Sequence, residues 1–125
     1  MSLSILVVDD SRVVHAVIAK TLEMAEIPVK KIFDAMNGKE ALDILRSNPI
    51  DLVFSDIHMP IMDGVEMIEN MWADDQLKKI PVVVVSSEGS QTRVKELVNF
   101  GVKSYIRKPF TPEMIREVVD KVMGE

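Results

Sequence analysis

The sequence predicts one α/β domain, built as a doubly wound, five-stranded parallel sheet with helices on both faces. Short runs rich in β-branched residues alternate along the chain with segments whose apolar residues recur at helical spacing. Each helical segment is long enough to cross over between parallel strands, and such crossovers are right-handed. The length of 125 residues suits one ordinary domain, so we expect residues 1–125 to form a single unit.

Five strands are predicted from short runs that contain β-branched and other apolar residues, at positions 3–8, 29–34, 51–55, 81–85 and 102–106. The run at 29–34 is more polar than the first run. The run at 81–85 is solidly apolar, which is typical of a central strand covered on both faces. Among doubly wound sheets, five strands favour the flavodoxin-like order 2-1-3-4-5.

A helical pattern of apolar residues follows each strand, at positions 13–22, 41–45, 65–71, 94–98 and 114–123. Ser11, Asn37 and Asp63 precede three of these segments, and they are residue types that cap helix N-termini. Thr111-Pro112 introduces the last segment, because proline is favoured in the first turn of a helix. Four of the five predicted helices therefore have a start signal as well as an apolar face.

The composition excludes several kinds of function. The net charge of −5 argues against direct nucleic-acid binding, which needs a basic face. The absence of cysteine excludes disulfides and thiol chemistry and gives no sign of secretion. No apolar run approaches the ~20 residues that a membrane-spanning helix needs. We therefore expect a cytoplasmic protein without membrane insertion.

Polar groups stand at the ends of four predicted strands, at the sheet edge where α/β proteins bind ligands. These groups are Asp9 and Asp10 after the first strand, Asp56 after the third, Ser86 after the fourth and Lys108 after the fifth. The second strand ends at Asp34-Ala35, without a comparable group. In the predicted strand order the four ends adjoin one another, so we expect three acids, a hydroxyl and an amine to form one site.

The charges of this cluster favour a magnesium ion and a phosphoryl group. Three carboxylates and one ammonium leave two negative charges uncompensated, which one Mg²⁺ would neutralise. Zinc is disfavoured, because the chain has no cysteine and only two histidines. A hydroxyl and an ammonium beside a metal-bound carboxylate suit a phosphoryl group. Each residue alone has a plainer explanation, such as helix capping by Asp9 and Asp10, but their joint placement favours a site.

The sequence strongly resembles the receiver domain of bacterial two-component response regulators, most closely the single-domain, CheY-like kind. Four motifs support the resemblance, "ILVVDDS", "SDIHMPIMDG", "VVVSSE" and "SYIRKPF", in the family's order and spacing over essentially the whole chain. The resemblance implies a signalling switch with only weak self-phosphorylation and dephosphorylation activity. Its partners would be a sensor histidine kinase or phosphotransfer protein and a downstream output protein. The domain itself would be a monomer or weak homodimer.

The resemblance also implies roles for the acids. Asp56 would be the phospho-acceptor. Asp10, Asp56 and the main-chain carbonyl of His58 would bind Mg²⁺ directly, and Asp9 would act through a metal-bound water. The Lys108-Pro109 peptide bond would be cis.

The remaining roles implied by the resemblance concern the phosphoryl group and the switch. Ser86 and Lys108 would bind the phosphoryl oxygens. On phosphorylation the hydroxyl of Ser86 would move toward the phosphoryl group and the ring of Tyr105 would turn inward. This change would repack the surface formed by the fourth predicted helix, the fifth strand and the last helix. His58 and Glu88 occupy positions that vary in the family and tune the phosphoryl lifetime.

Some alternatives stay open. A phosphatase of the haloacid dehalogenase type would need an Asp-x-Asp motif after the first strand, where this chain has "DDSR". A flavodoxin-type FMN binder would need a phosphate loop rich in Ser, Thr and Gly at the same place. The chain ends soon after its last helix, which favours a free-standing receiver over a fragment of a longer regulator with a DNA-binding or enzymatic output. The candidate pathway is chemotaxis.

His15 is the one histidine on the first predicted helix. We expect it to be a surface residue near a kinase-docking face, with no part in the site.

Overall fold

The computed structural model describes residues 2–86 and 102–124. Within them the strands are β1 (Leu3–Val8), β2 (Val29–Ala35), β3 (Leu52–Ser55), β4 (Val82–Ser86) and β5 (Ser104–Arg107). The helices are α1 (Arg12–Met24), α2 (Gly38–Ser47), α3 (Gly64–Trp72) and α4 (Pro112–Met123). The helix predicted at 94–98 lies outside the described residues. The label α4 therefore denotes the helix predicted at 114–123.

The strands form one parallel sheet in the order β2-β1-β3-β4-β5, which confirms the predicted topology. The register aligns Val8 at the end of β1 with Ala35 of β2 and with Ser55 of β3. Residues that follow Val8 and Ser55 in sequence therefore leave the sheet side by side. This alignment brings the first and third strand ends together at one edge.

The core has two layers because successive strand residues point to opposite faces of the sheet. Leu6 and Val8 pack on the side of α2 and α3, and we call this layer the α2/α3 core. Ile5 and Val7 pack on the side of α1 and α4, in what we call the α1/α4 core. The helices contribute Leu42, Leu45, Met67 and Met71 to the first layer and Ile18, Leu22, Ile115 and Val119 to the second. Helices therefore cover both faces, as predicted.

The predicted helix starts are confirmed by hydrogen bonds from the first turns to the capping side chains. The caps are Ser11 for α1, Asn37 for α2, Asp63 for α3 and Thr111 for α4. Each cap satisfies a main-chain N–H that the helix itself leaves without a partner. In the part of the chain that the structure describes, no helix has the length and apolarity to span a membrane.

Candidate functional site

Asp9, Asp10 and Asp56 meet at the carboxyl edge of the sheet. One carboxylate oxygen of each lies within 4.8 Å of the others. Asp9 is buried with 3% of its surface exposed, Asp56 is partly buried and Asp10 is exposed. The structure therefore brings together the three acids that the sequence predicted to cluster, with access from solvent on the side of Asp10.

Lys108 connects the end of β5 with this acidic cluster. Its Nζ atom lies 3.1 Å from Oδ2 of Asp9 and 3.8 Å from Oδ2 of Asp56. The Lys108-Pro109 peptide bond is cis, as expected. One ammonium beside three carboxylates leaves two negative charges uncompensated when all of these groups are ionised.

All four polar groups of Asp9 have partners. Its main-chain N–H donates to the carbonyl of Ala35 at 3.1 Å, and its own carbonyl lies 2.7 Å from Nε2 of His15. Its carboxylate accepts from the N–H of Ser11 at 2.9 Å and from Lys108 at 3.1 Å. The carboxylate of Asp9 thus has a partner within the protein on each of its oxygens.

Asp56 is held by the main chain around it. Its N–H donates to the carbonyl of Val8 at 2.9 Å, which extends the pairing of β1 and β3 by one residue. Oδ1 accepts from the N–H of Ile57 at 2.7 Å, and Oδ2 is the oxygen nearer Lys108. The carboxylate therefore has a fixed direction, with its Oδ2 side toward the ammonium.

Gly64 lets the loop after Asp56 fold back against the site. Its N–H donates to the carbonyl of Ile57 at 2.7 Å. A Cβ atom built on Gly64 would lie 2.2 Å from the main-chain oxygen of Asp56, which no side chain permits. Asp63 caps α3 by accepting from the N–H of Glu66. The Asp-Gly pair in the motif therefore closes the loop and starts the helix.

The prediction that His15 is a surface residue is wrong. Only 8% of its surface is exposed. Nδ1 lies 2.7 Å from Oδ1 of Asp34, and Nε2 lies 2.7 Å from the carbonyl of Asp9. The physical reason is helix periodicity: position 15 precedes the buried Ile18 by three residues and Leu22 by seven, so all three share one face of α1. That spacing was the signal in the sequence, and Asp34 at the end of β2 was its partner.

The other predicted site residues are placed as follows. Ser86 ends β4, and its main chain aligns with Arg107 of β5. His58 is exposed in the loop after Asp56. Tyr105 is half-buried on β5 and packs against the α2/α3 core. Glu88 lies outside the described residues.

The donor set of the acidic cluster fits a hard divalent cation. Its carboxylates offer only oxygen ligands, and Mg²⁺ is bound in proteins by one or two carboxylates together with water. The exposed Asp10 and the partly buried Asp56 are more open to an incoming ion than the buried Asp9. The two uncompensated negative charges match the charge of one such ion.

Known proteins share both the sequence and the fold of this chain. A family described as the response regulator receiver domain matches residues 5–120. Chemotaxis protein CheY1 of Helicobacter pylori is 32% identical over 98% of both chains. The structure of chemotaxis response regulator CheY4 of Vibrio cholerae superposes with a TM-score of 0.85 at 28% identity and covers 98% of this chain and 99% of its own. A CheX-CheY-BeF3-Mg²⁺ complex from Borrelia burgdorferi gives a TM-score of 0.84 at 28% identity, with 97% and 89% covered.

Proposed function

The chain belongs to the family of response regulator receiver domains, and we propose that Asp56 is the residue of this receiver that accepts the phosphoryl group. The single observation that supports Asp56 most directly is its position between Asp10, which reaches solvent, and the ammonium of Lys108. It is partly accessible, while Asp9 is enclosed and engaged on both oxygens. Of the three acids, Asp56 combines access with a neighbouring cation.

In this proposal a carboxylate oxygen of Asp56 attacks the phosphorus of a phosphohistidine on a sensor kinase or phosphotransfer protein. The new O–P bond gives an acyl phosphate, and the N–P bond breaks with its electron pair returning to the imidazole. The N–H of Ile57 holds the carboxylate in place, which lowers the entropic cost of the attack. Lys108, 3.8 Å from Oδ2, contributes positive charge where the phosphoryl oxygens arrive.

Asp10, Asp56 and the main-chain carbonyl of His58 would hold Mg²⁺, with Asp9 acting through a bound water. When bound, the ion neutralises charge on the transferring phosphoryl group. Receiver structures such as the Borrelia burgdorferi complex contain Mg²⁺. The acidic cluster of this chain supports the same cofactor.

The switch and its output complete the proposal. Ser86 would bind the phosphoryl group from the end of β4, and Tyr105 would turn inward on the neighbouring strand. The response would be read by an output partner at the surface of β5 and the helices beside it, with chemotaxis as the candidate pathway.

This is a signalling domain and not a classical enzyme; its weak self-dephosphorylation would be tuned by His58 and Glu88. The extent of the domain over residues 1–125 and a cytoplasmic location stay predictions.

The test is phosphorylation by acetyl phosphate, followed by intact mass with and without Mg²⁺. We expect the wild type to gain one phosphoryl group only when Mg²⁺ is present, and Asp56→Asn to gain none. Asp63→Asn is the matched control, because it makes the same chemical change in the same loop and asparagine also caps a helix. It should be labelled like the wild type.

Two outcomes would contradict the proposal. One is an unlabelled wild type under conditions that label another receiver. The other is labelling that survives Asp56→Asn. Repeated turnover of a small phosphomonoester would instead favour the phosphatase alternative.

A further inference from the structure

His15 forms a bridge between the edge strand β2 and the acidic cluster. Each of its ring nitrogens lies 2.7 Å from an oxygen that can only accept, a carboxylate oxygen of Asp34 on one side and the carbonyl of Asp9 on the other. Because a carbonyl oxygen only accepts, the hydrogen bond to Asp9 is donated by Nε2 of His15. The ring is thus fixed at two ends and enclosed, with 8% of the residue exposed.

The carbonyl that His15 contacts belongs to the peptide joining Asp9 to Asp10. The orientation of this peptide determines the direction in which the Asp10 side chain leaves the main chain. Within residues 2–86 and 102–124, the carboxylate of Asp10 has no hydrogen bond or ion pair of its own. The direction of Asp10 therefore depends on how the main chain before it is held.

We propose that His15 is a positioning residue for the metal site: its hydrogen bond to the carbonyl of Asp9 fixes the Asp9–Asp10 peptide, so that the carboxylates stand ready for Mg²⁺. Asp34 in turn fixes the ring. Hydrogen-bonding groups behind the ligands of a metal site commonly fix the orientation of those ligands. The inference rests on the proposed magnesium- and phosphoryl-binding function.

The test compares His15→Leu with the wild type in the unphosphorylated state. Leucine keeps an apolar body in the enclosed position and removes the contacts of the ring with Asp9 and Asp34. We expect the Kd for Mg²⁺, measured by titration calorimetry, to rise roughly 10-fold, the lower end of the usual effect for residues that orient metal ligands. Amide hydrogen exchange at Ser11, whose N–H donates to Asp9, should become faster.

Thr21→Val is the matched control for a lost buried hydrogen bond on the same helix. Thr21 is 7% exposed, and its hydroxyl donates to the carbonyl of Val17 at 2.6 Å, away from the site. This variant should lower thermal stability while leaving the Kd for Mg²⁺ and the exchange of Ser11 unchanged. His15→Gln, which keeps a side-chain N–H group able to donate, should lie between His15→Leu and the wild type.

Asp34→Ala provides a second route if His15→Leu does not fold, because the Asp34 side chain is 59% exposed and its removal leaves the core intact. It should raise the Kd for Mg²⁺ by a smaller factor than His15→Leu.

An unchanged Kd and unchanged exchange in the His15 variants would overturn the inference, as would equal losses in Thr21→Val. Failure of the proposed function is distinguishable, since a wild type that takes up no phosphoryl group refutes that function alone. The exchange of Ser11 then still decides whether His15 holds the Asp9–Asp10 peptide.

Discussion

Lys108 donates a hydrogen bond to Asp9 at 3.1 Å, although the two residues lie 99 positions apart in the chain. The contact joins the last strand end to the first across the mouth of the site. It also supplies a buried carboxylate with a cation, and a buried charge without a partner is strongly destabilising. Lys108 therefore has a structural task in addition to its proposed role with the phosphoryl group.

Replacing Lys108 with methionine should separate these tasks. Without Mg²⁺, Lys108→Met should lower the free energy of unfolding by about 2 kcal/mol, because Asp9 loses its cation in an enclosed place. The Kd for Mg²⁺ should fall, since an ammonium no longer competes for the carboxylates. Urea denaturation and calorimetric titration measure the two effects.

Lys78→Met is the control: its pair with Asp75 at 3.2 Å is exposed, and its loss should change stability by less than about 0.5 kcal/mol. A weaker affinity for Mg²⁺ in Lys108→Met would contradict this account.

Two glycines should differ in their tolerance of alanine. A Cβ on Gly64 meets the carbonyl oxygen of Asp56 at 2.2 Å, whereas at Gly38 the nearest atoms, both of Met62, lie at 2.9 Å. We expect Gly64→Ala to destabilise the fold by about 3 kcal/mol and to slow phosphorylation, because the main chain of the acceptor must move. Gly38→Ala should lower the free energy of unfolding by only about 1 kcal/mol. Thermal denaturation and acetyl phosphate labelling of both variants check the ranking, and equal effects would refute it.

Ile61 should be replaceable with a gain in stability. Its φ is 68°, in a region that β-branched residues rarely adopt, and it stands at the centre of a turn closed by the N–H of Met62 and the carbonyl of Pro60 at 2.7 Å. The residue is 79% exposed, so little packing is lost on replacement. Ile61→Asn should raise the free energy of unfolding by about 1 kcal/mol in denaturant titration. Val13→Asn, at a residue of α1 that is 72% exposed, should bring no gain.

His58→Ala should slow the loss of the phosphoryl group. An imidazole is able to orient an attacking water, and His58 is exposed in the loop two residues after Asp56. We expect the decay of the phosphorylated protein to be roughly 2-fold slower or more, with the extent of labelling unchanged. Intact mass followed over time measures both quantities. The same decay in variant and wild type would remove His58 from the tuning of the site.

The fold and the convergence of Asp9, Asp10, Asp56 and Lys108 could be predicted because the signals are local. Alternating apolar runs specify strands and helices, caps mark the helix starts, and strand order brings the strand ends together. His15 was missed because its contacts join three segments, α1, the end of β1 and the end of β2. Helical periodicity indicates which face of α1 is buried. It does not indicate which residues of other segments contact that face. The conformation of Ile61 could not be predicted, since isoleucine disfavours positive φ and the surrounding loop imposes it.

The geometry of the site depends on the register of β1 and β3, in which Val8 is aligned with Ser55. A slip of β3 by one residue would move Asp56 by about 3.3 Å and turn its side chain to the opposite face of the sheet. The carboxylates of Asp10 and Asp56 would then no longer converge, so a cation held by both would bind only the correctly paired sheet. Such a cation would stabilise the correct pairing relative to every misregistered alternative, by an amount that grows with the logarithm of the cation concentration above its Kd. The residues proposed for signalling would in this way also stabilise the correct register of the strands that hold them.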